Sequence, residues 1–137
     1  LGRDPQRTPM RWFPREGAGF TRGTPWLRIG DDVETCNVAT QSDDPGSMLS
    51  LYKALLRLRR EMPSLSRGDI RVLEASDAVL AYERSHEGER AVVVLNFTDE
   101  PAPLPIPEPV GSLLVSTHAG AAEGPLRASE ARVYKLA

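Results

Sequence analysis

Cysteine is nearly absent from this chain: Cys36 stands alone in 137 residues. A single thiol can close neither an internal disulfide nor a thiolate metal cluster, which suits a reducing compartment and makes the cytoplasm the expected location. Histidine is almost as scarce. His86 and His118 lie in loop-like contexts without a partner at metal-ligand spacing, so no metal or other cofactor is expected and neither residue is assigned a role. Lysine occurs only at positions 53 and 135, and the resulting arginine bias is read as coding-base composition rather than as anion recognition. No run approaches the roughly 20 apolar residues of a membrane-spanning helix, the longest being AVVVL at 91 to 95, so no membrane partner is expected. A formal charge of −2, with no basic cluster interleaved with stacking aromatics, sets nucleic acid aside as well.

What remains is a globular composition, 40% hydrophobic and 26% charged, with three stretches of different character. Residues 1 to 43 hold Pro5, Pro9, Pro14, Pro25, five glycines and half of the eight aromatics, with no apolar period. They read as a loop far longer than compact domains usually carry, and too aromatic to be disordered. DPGSMLSLYKALLRLRR, Asp44 to Arg60, reads as a helix. Asp44 is the expected N-cap and Pro45 the first helical residue. Met48, Leu51, Tyr52, Leu55 and Leu58 form an apolar stripe widened by Leu49 and Leu56, and Pro63 ends the helix just beyond Met62. From Asp69 onward short strands are expected at 70–75, 79–84, 91–97, 112–117 and 131–136, with turns at Ser76-Asp77 and around Gly88. The apolar 91–97 run is expected at the centre of the sheet. PAPLPIPEP at 101–109 suits an edge strand or extended connector, and its alternate prolines offer no PxxP ligand. The sum is a small antiparallel sandwich of six to eight strands.

The only chemistry this composition invites is acid-base or nucleophilic work by carboxylates, since Ser/His/Asp and Cys/His sets lack their parts. Asp4, Glu16, Asp31, Asp32, Glu34 and Asp43 face Arg3, Arg7, Arg11, Arg15, Arg22 and Arg28 in the long loop. Nothing in their spacing selects a catalytic pair, so no catalytic residue is assigned and the charges read as mixed surface. Asn96-Phe97-Thr98 fits a glycosylation sequon, but it closes an apolar strand and is read as coincidence. The chain also begins at Leu1, inside a motif-dense stretch, as a trimmed chain would.

Gly2 to Trp12, GRDPQRTPMRW, closely resembles the GRDxxRTPMQW motif of α-glucosidases, oligo-1,6-glucosidase-like, in the α-amylase family of glycoside hydrolases. Further likenesses follow in the family's order: Ala18-Gly19-Phe20-Thr21, Pro25-Trp26-Leu27, Asn37-Val38-Ala39 with Gln41, Asp44-Pro45, Ala91 to Thr98, and Glu130 to Leu136. Arg11 departs from the motif by standing where glutamine is usual. The resemblance implies an α+β fragment: residues 1–62 would be the end of a (β/α)8 catalytic barrel, with an active-site loop at 1–43 and the last barrel helix at 44–62. Residues 63–137 would be the C-terminal β-sandwich domain. It further implies that the nucleophile, acid-base and third carboxylates lie outside this sequence, and that the partners are α-glucoside oligosaccharides and the rest of the barrel. Arg3 would contact bound sugar, with Asp4 or Arg7 orienting it. Trp12 and Trp26 are expected to anchor the loop rather than stack on sugar, and Asn37 and Gln41 to tie it to the helix start. Rival readings are a trehalose synthase-type transglycosylase fragment, a free-standing sugar-binding sandwich using Trp12 and Trp26, and a purely structural module.

Overall fold

The computed structural model describes residues 2–106, 111–120 and 124–137. The chain forms two compact units, Leu1–Tyr52 and Lys53–Ala137. In the first, two 3-10 turns, Asp4–Arg7 and Glu16–Gly19, precede a short helix α1, Val38–Asp43. That helix was not foreseen. Asn37 starts it, its side-chain oxygen accepting the Thr40 amide at 2.9 Å.

The long helix α2 covers Met48–Glu61, a later start than Asp44. Asp44 instead bends the chain through an Asx-type turn, its carboxylate accepting the Gly46 amide at 2.8 Å. Ser47 is the residue that caps α2, accepting the Ser50 amide on its hydroxyl at 3.1 Å. The apolar stripe is present, but no α2 residue is buried among the described ones; Met48, Tyr52 and Leu56 are more than half exposed. Pro63 does end α2, and it also opens a second helix, α3 (Pro63–Arg67).

In the second unit, α3 packs on the sheet through β2 and β3. The strands are β1 (Asp69–Ala75), β2 (Val79–His86), β3 (Glu89–Asn96), β4 (Ser112–Ser116) and β5 (Ala131–Lys135), all antiparallel, in the order β1-β2-β3-β5-β4. The central place of β3 is as expected, and Ala91, Val92 and Val94 are fully buried on it. Glu87 and Gly88, with φ of 46° and 86°, turn β2 into β3 as a two-residue hairpin whose twist requires positive φ at both positions.

The described strands number five rather than six to eight, and they make one sheet. Its core face, carrying Val79, Ala81, Val92 and Val94, is covered by extended segments that hold Ala102 and Leu126. Those segments meet in a single bridge, Ala102 to Leu126, with reciprocal bonds of 3.0 and 2.8 Å. Pro101, Pro103 and Pro105 have no N–H to give, so the segment cannot extend the bridge into a strand. The rest of the proline-rich stretch, 107–109, with Val110, and residues 121–123 between Gly120 and Gly124 lie outside the described residues.

Two ion networks pin this unit. Glu130, fully buried, accepts from Ser116 Oγ at 2.7 Å, from the Arg127 amide and guanidinium at 2.8 and 3.0 Å, and from Arg132 at 2.7 Å. Burial pushes its carboxyl up, but the bonds from Arg132, Arg127 and Ser116 win and hold it well below the usual range. Glu83 is bridged by Arg90 and Arg71. Bonds from Arg90 hold it down against burial, Arg71 adds to them, and its pKa is lowered to about 2. Asn96 is buried and donates to the carbonyls of Glu100 and Arg127 at 2.8 and 2.9 Å. Its amide is therefore a latch between segments, and the sequon is occupied by structure.

Candidate functional site

The three residues expected to meet sugar, Arg3, Asp4 and Arg7, fall on one 3-10 turn. Pro5 pre-sets its φ, and the Gln6 amide closes on the Arg3 carbonyl at 3.2 Å. In a 3-10 turn residues three apart eclipse, so Asp4 and Arg7 rise from the same side with Arg3 at the entry. All three are exposed, and none makes a side-chain hydrogen bond or ion pair among the described residues. Two guanidinium forks beside one carboxylate offer donors and an acceptor at short spacing, an arrangement suited to vicinal hydroxyls.

The turn continues through Thr8 and the buried Pro9 into Arg11 and Trp12, the hub of this unit. The amides of Trp12 and Phe13 both donate to the Ala18 carbonyl, at 2.8 and 3.2 Å. On the other side the carbonyls of Arg11 and Trp12 accept the amides of Val38 and Ala39, at 3.0 and 3.1 Å, so the start of α1 is laid along the same short stretch. Ala18 is fully buried, and it sits between Gly17 and Gly19 in a run with φ of 69°, 52° and 71°. A side chain at position 19 would strike the Phe13 ring at 2.5 Å, which explains the glycine in Ala18-Gly19-Phe20.

Asn37 and Gln41 tie the loop to the helices, as expected. Asn37 donates to the Val33 carbonyl at 2.9 Å while capping α1. Gln41 accepts the Leu49 amide on its side chain at 3.1 Å, and its carbonyl receives Ser47 Oγ at 2.6 Å. The loop acids are partly spent on ion pairs: Asp31 with Arg28 and Asp32 with Arg11. Trp26 departs from expectation. It is 92% exposed and anchors nothing among the described residues, whereas Trp12 is held through its backbone and is 45% exposed. Position 26 lies in a loop arc, and a sequence gives no sign of which aromatic in an irregular stretch turns inward.

A depression of about 980 Å³ opens between Arg15, Glu16, Phe20, Arg22 and Pro25. Arg3, Asp4 and Arg7 do not line it, so the expected sugar contacts and this hollow are separate features. No three His, Cys, Asp or Glu side chains gather into a metal-holding group among the described residues. Within them, too, no helix is long and apolar enough to cross a membrane.

Comparison with known proteins fixes the class. The family described as "Alpha amylase, catalytic domain" matches residues 1–68, and "Maltogenic Amylase, C-terminal domain" matches residues 70–123. The chain belongs to the α-amylase family of glycoside hydrolases, and joins the end of the catalytic domain to the antiparallel C-terminal domain. Its relatives include glucan 1,6-alpha-glucosidase of Streptococcus pneumoniae, 36% identical over 87% of this chain and 22% of that protein. Oligo-1,6-glucosidase of Halalkalibacterium halodurans is 36% identical over 97% of this chain and 26% of that protein. Among solved structures, trehalulose synthase from Pseudomonas mesoacidophila MX-45 superposes with a TM-score of 0.88 at 35% identity, covering 98% of this chain and 26% of that one. The chain thus spans about a quarter of the length of the proteins it matches.

Proposed function

We propose that this chain is the C-terminal portion of a retaining α-glucosidase that hydrolyses short α-glucosides of the maltose and isomaltose type. In such a mechanism two carboxyl groups about 5–5.5 Å apart act as nucleophile and as general acid-base. Here they are supplied from outside the chain. Residues 1–62 complete the catalytic barrel, with 1–43 as active-site loop and 44–62 as its last helix, and residues 63–137 form the C-terminal domain. The remainder of the barrel is the partner that covers the apolar stripe of α2. Arg3 binds the sugar beside the nucleophile, and Asp4 or Arg7 orients it. The carrying observation is the 3-10 turn that presents these three side chains exposed and unpaired among the described residues, within a stretch matching the family's catalytic domain. Glucose release from p-nitrophenyl α-glucoside is expected from the longer enzyme and not from the 137-residue chain, and release by the chain alone would overturn the reading.

The likeness to a trehalulose synthase favours a second reading, in which the parent transfers the glucosyl group to a sugar hydroxyl instead of to water. The trehalose synthase-type fragment belongs to this class. Product analysis separates the two: free glucose from isomaltose marks the hydrolase, and an isomeric disaccharide from sucrose or maltose marks the transferase.

A further inference from the structure

Arg11, the departure from the family motif, has a specific use in this fold. Its guanidinium pairs with Asp32, and its second nitrogen reaches Cys36 Sγ at 3.5 Å. Asp32 in turn holds the amides of Thr35 and Cys36 on its carbonyl, at 3.2 and 2.8 Å. The pair therefore joins the stretch at 11–13 to the stretch at 30–38, in parallel with the backbone bonds that Val38 and Ala39 donate to Arg11 and Trp12. Gly30 lies directly beneath it. A Cβ at that position would come within 2.7 Å of both Arg11 Nη1 and Asp32 Oδ1, so a side chain at 30 and the ion pair compete for one space.

We infer that Arg11, Asp32 and Gly30 form a clamp, and that Arg11 is a positioning residue for the saccharide site. It touches no sugar; it acts through the backbone. Only Thr8, Pro9 and Met10 separate it from the turn bearing Arg3, Asp4 and Arg7, and the buried Pro9 has a fixed φ, which leaves little slack between clamp and turn. This rests on the reading that those three residues bind substrate.

The test uses the whole enzyme that carries this chain, with R11Q, D32N, G30A and the swap R11D/D32R. R11Q keeps a hydrogen-bonding group of similar reach but removes the charge. G30A leaves both charges but forces the tips of the two side chains to shift. Each single change is expected to lower kcat/KM on isomaltose by about tenfold, mainly through KM, since a displacement of the order of 1 Å at positioning groups has effects of that size or larger. The swap should recover most of the loss. A swap no better than the singles, or R11Q and D32N enzymes with unchanged KM, would overturn the positioning role. Amide exchange at Thr35 and Cys36 reports on the clamp independently: faster exchange in all three single variants is expected, and unchanged rates would refute the clamp. Should the wild-type enzyme release no glucose from isomaltose and form no isomeric disaccharide, the saccharide reading falls, while the exchange rates still decide whether the clamp exists.

Discussion

Replacing Glu130 by glutamine should be the most damaging conservative change in the second unit. Glu130 is 0% exposed and Arg132 1% exposed, so the pair is cut off from solvent screening. Glutamine keeps the shape but has a single carbonyl oxygen where the carboxylate had two acceptors, and its NH₂ would point at a guanidinium or at the Arg127 amide. Arg132 would keep its bonds to the Gly124 and Pro125 carbonyls, 3.0 and 2.9 Å, but lose the ionised Glu130 carboxylate that accepts from it at 2.7 Å. Breaking one side of a buried pair costs about 3–5 kcal/mol. For a domain of this size each kcal/mol lowers Tm by about 4–8 °C, so the expected fall is roughly 12–40 °C. Glu83→Gln is the control. Glu83 is itself buried, but its partners Arg71 and Arg90 have side chains 65% and 40% exposed and can turn to water, so the loss should be smaller, about 1–3 kcal/mol. Urea denaturation followed by far-UV circular dichroism measures both, because the sheet dominates that signal. If the Glu83 variant were the less stable of the two, or the Glu130 variant lost under about 1 kcal/mol, the burial argument would be wrong.

Three further outcomes follow from the same structure. Glu83 has a folded-state pKa of about 2, below its ordinary 4.5, so the unfolded chain binds more protons between these values. Its contribution is complete above pH 5 or so and is lost as pH falls from about 4.5 toward 2; a Tm-pH profile should slope upward there, and less steeply for Glu83→Gln. Glu89 accepts the buried Ser64 amide at 2.9 Å in the first turn of α3, and Glu89→Ala should cost about 0.5–2 kcal/mol in the same urea assay, with no change indicating a dispensable cap. Asn96→Ala strands two carbonyls and the Thr98 amide, for a loss of about 2–4 kcal/mol, and secretory expression in a eukaryotic host should leave Asn96 unglycosylated by mass spectrometry.

The parts of the fold legible in the sequence are those where period and turn chemistry agree. The β2-Glu87-Gly88-β3 hairpin and the central position of β3 follow from an apolar run beside a glycine turn. The start of α2 was misplaced because Asp44-Pro45 and Ser47 are both good opening signals, and only the tertiary bonds to Gln41 decide for Ser47. Helix α1 is six residues long, too short to show a period, and its one signal was Asn37 three residues before Thr40. The Glu130 network was illegible: its members Ser116, Arg127 and Arg132 meet only once β4 and β5 are paired. At the candidate site, the motif nominated Arg3, Asp4 and Arg7, which share one 3-10 turn, but carried no information on the Arg11–Asp32 pair, whose members stand 21 positions apart.

The most direct measurement is kcat/KM on isomaltose for the whole enzyme with Arg3→Ala, alongside its melting temperature. Loss of a charge-assisted bond to substrate, worth about 1.5–3 kcal/mol, predicts a fall of roughly 10- to 150-fold at unchanged Tm, since Arg3 is exposed and holds no other described side chain. An enzyme that loses Arg3 and keeps its kcat/KM would contradict the placement of the sugar at this turn.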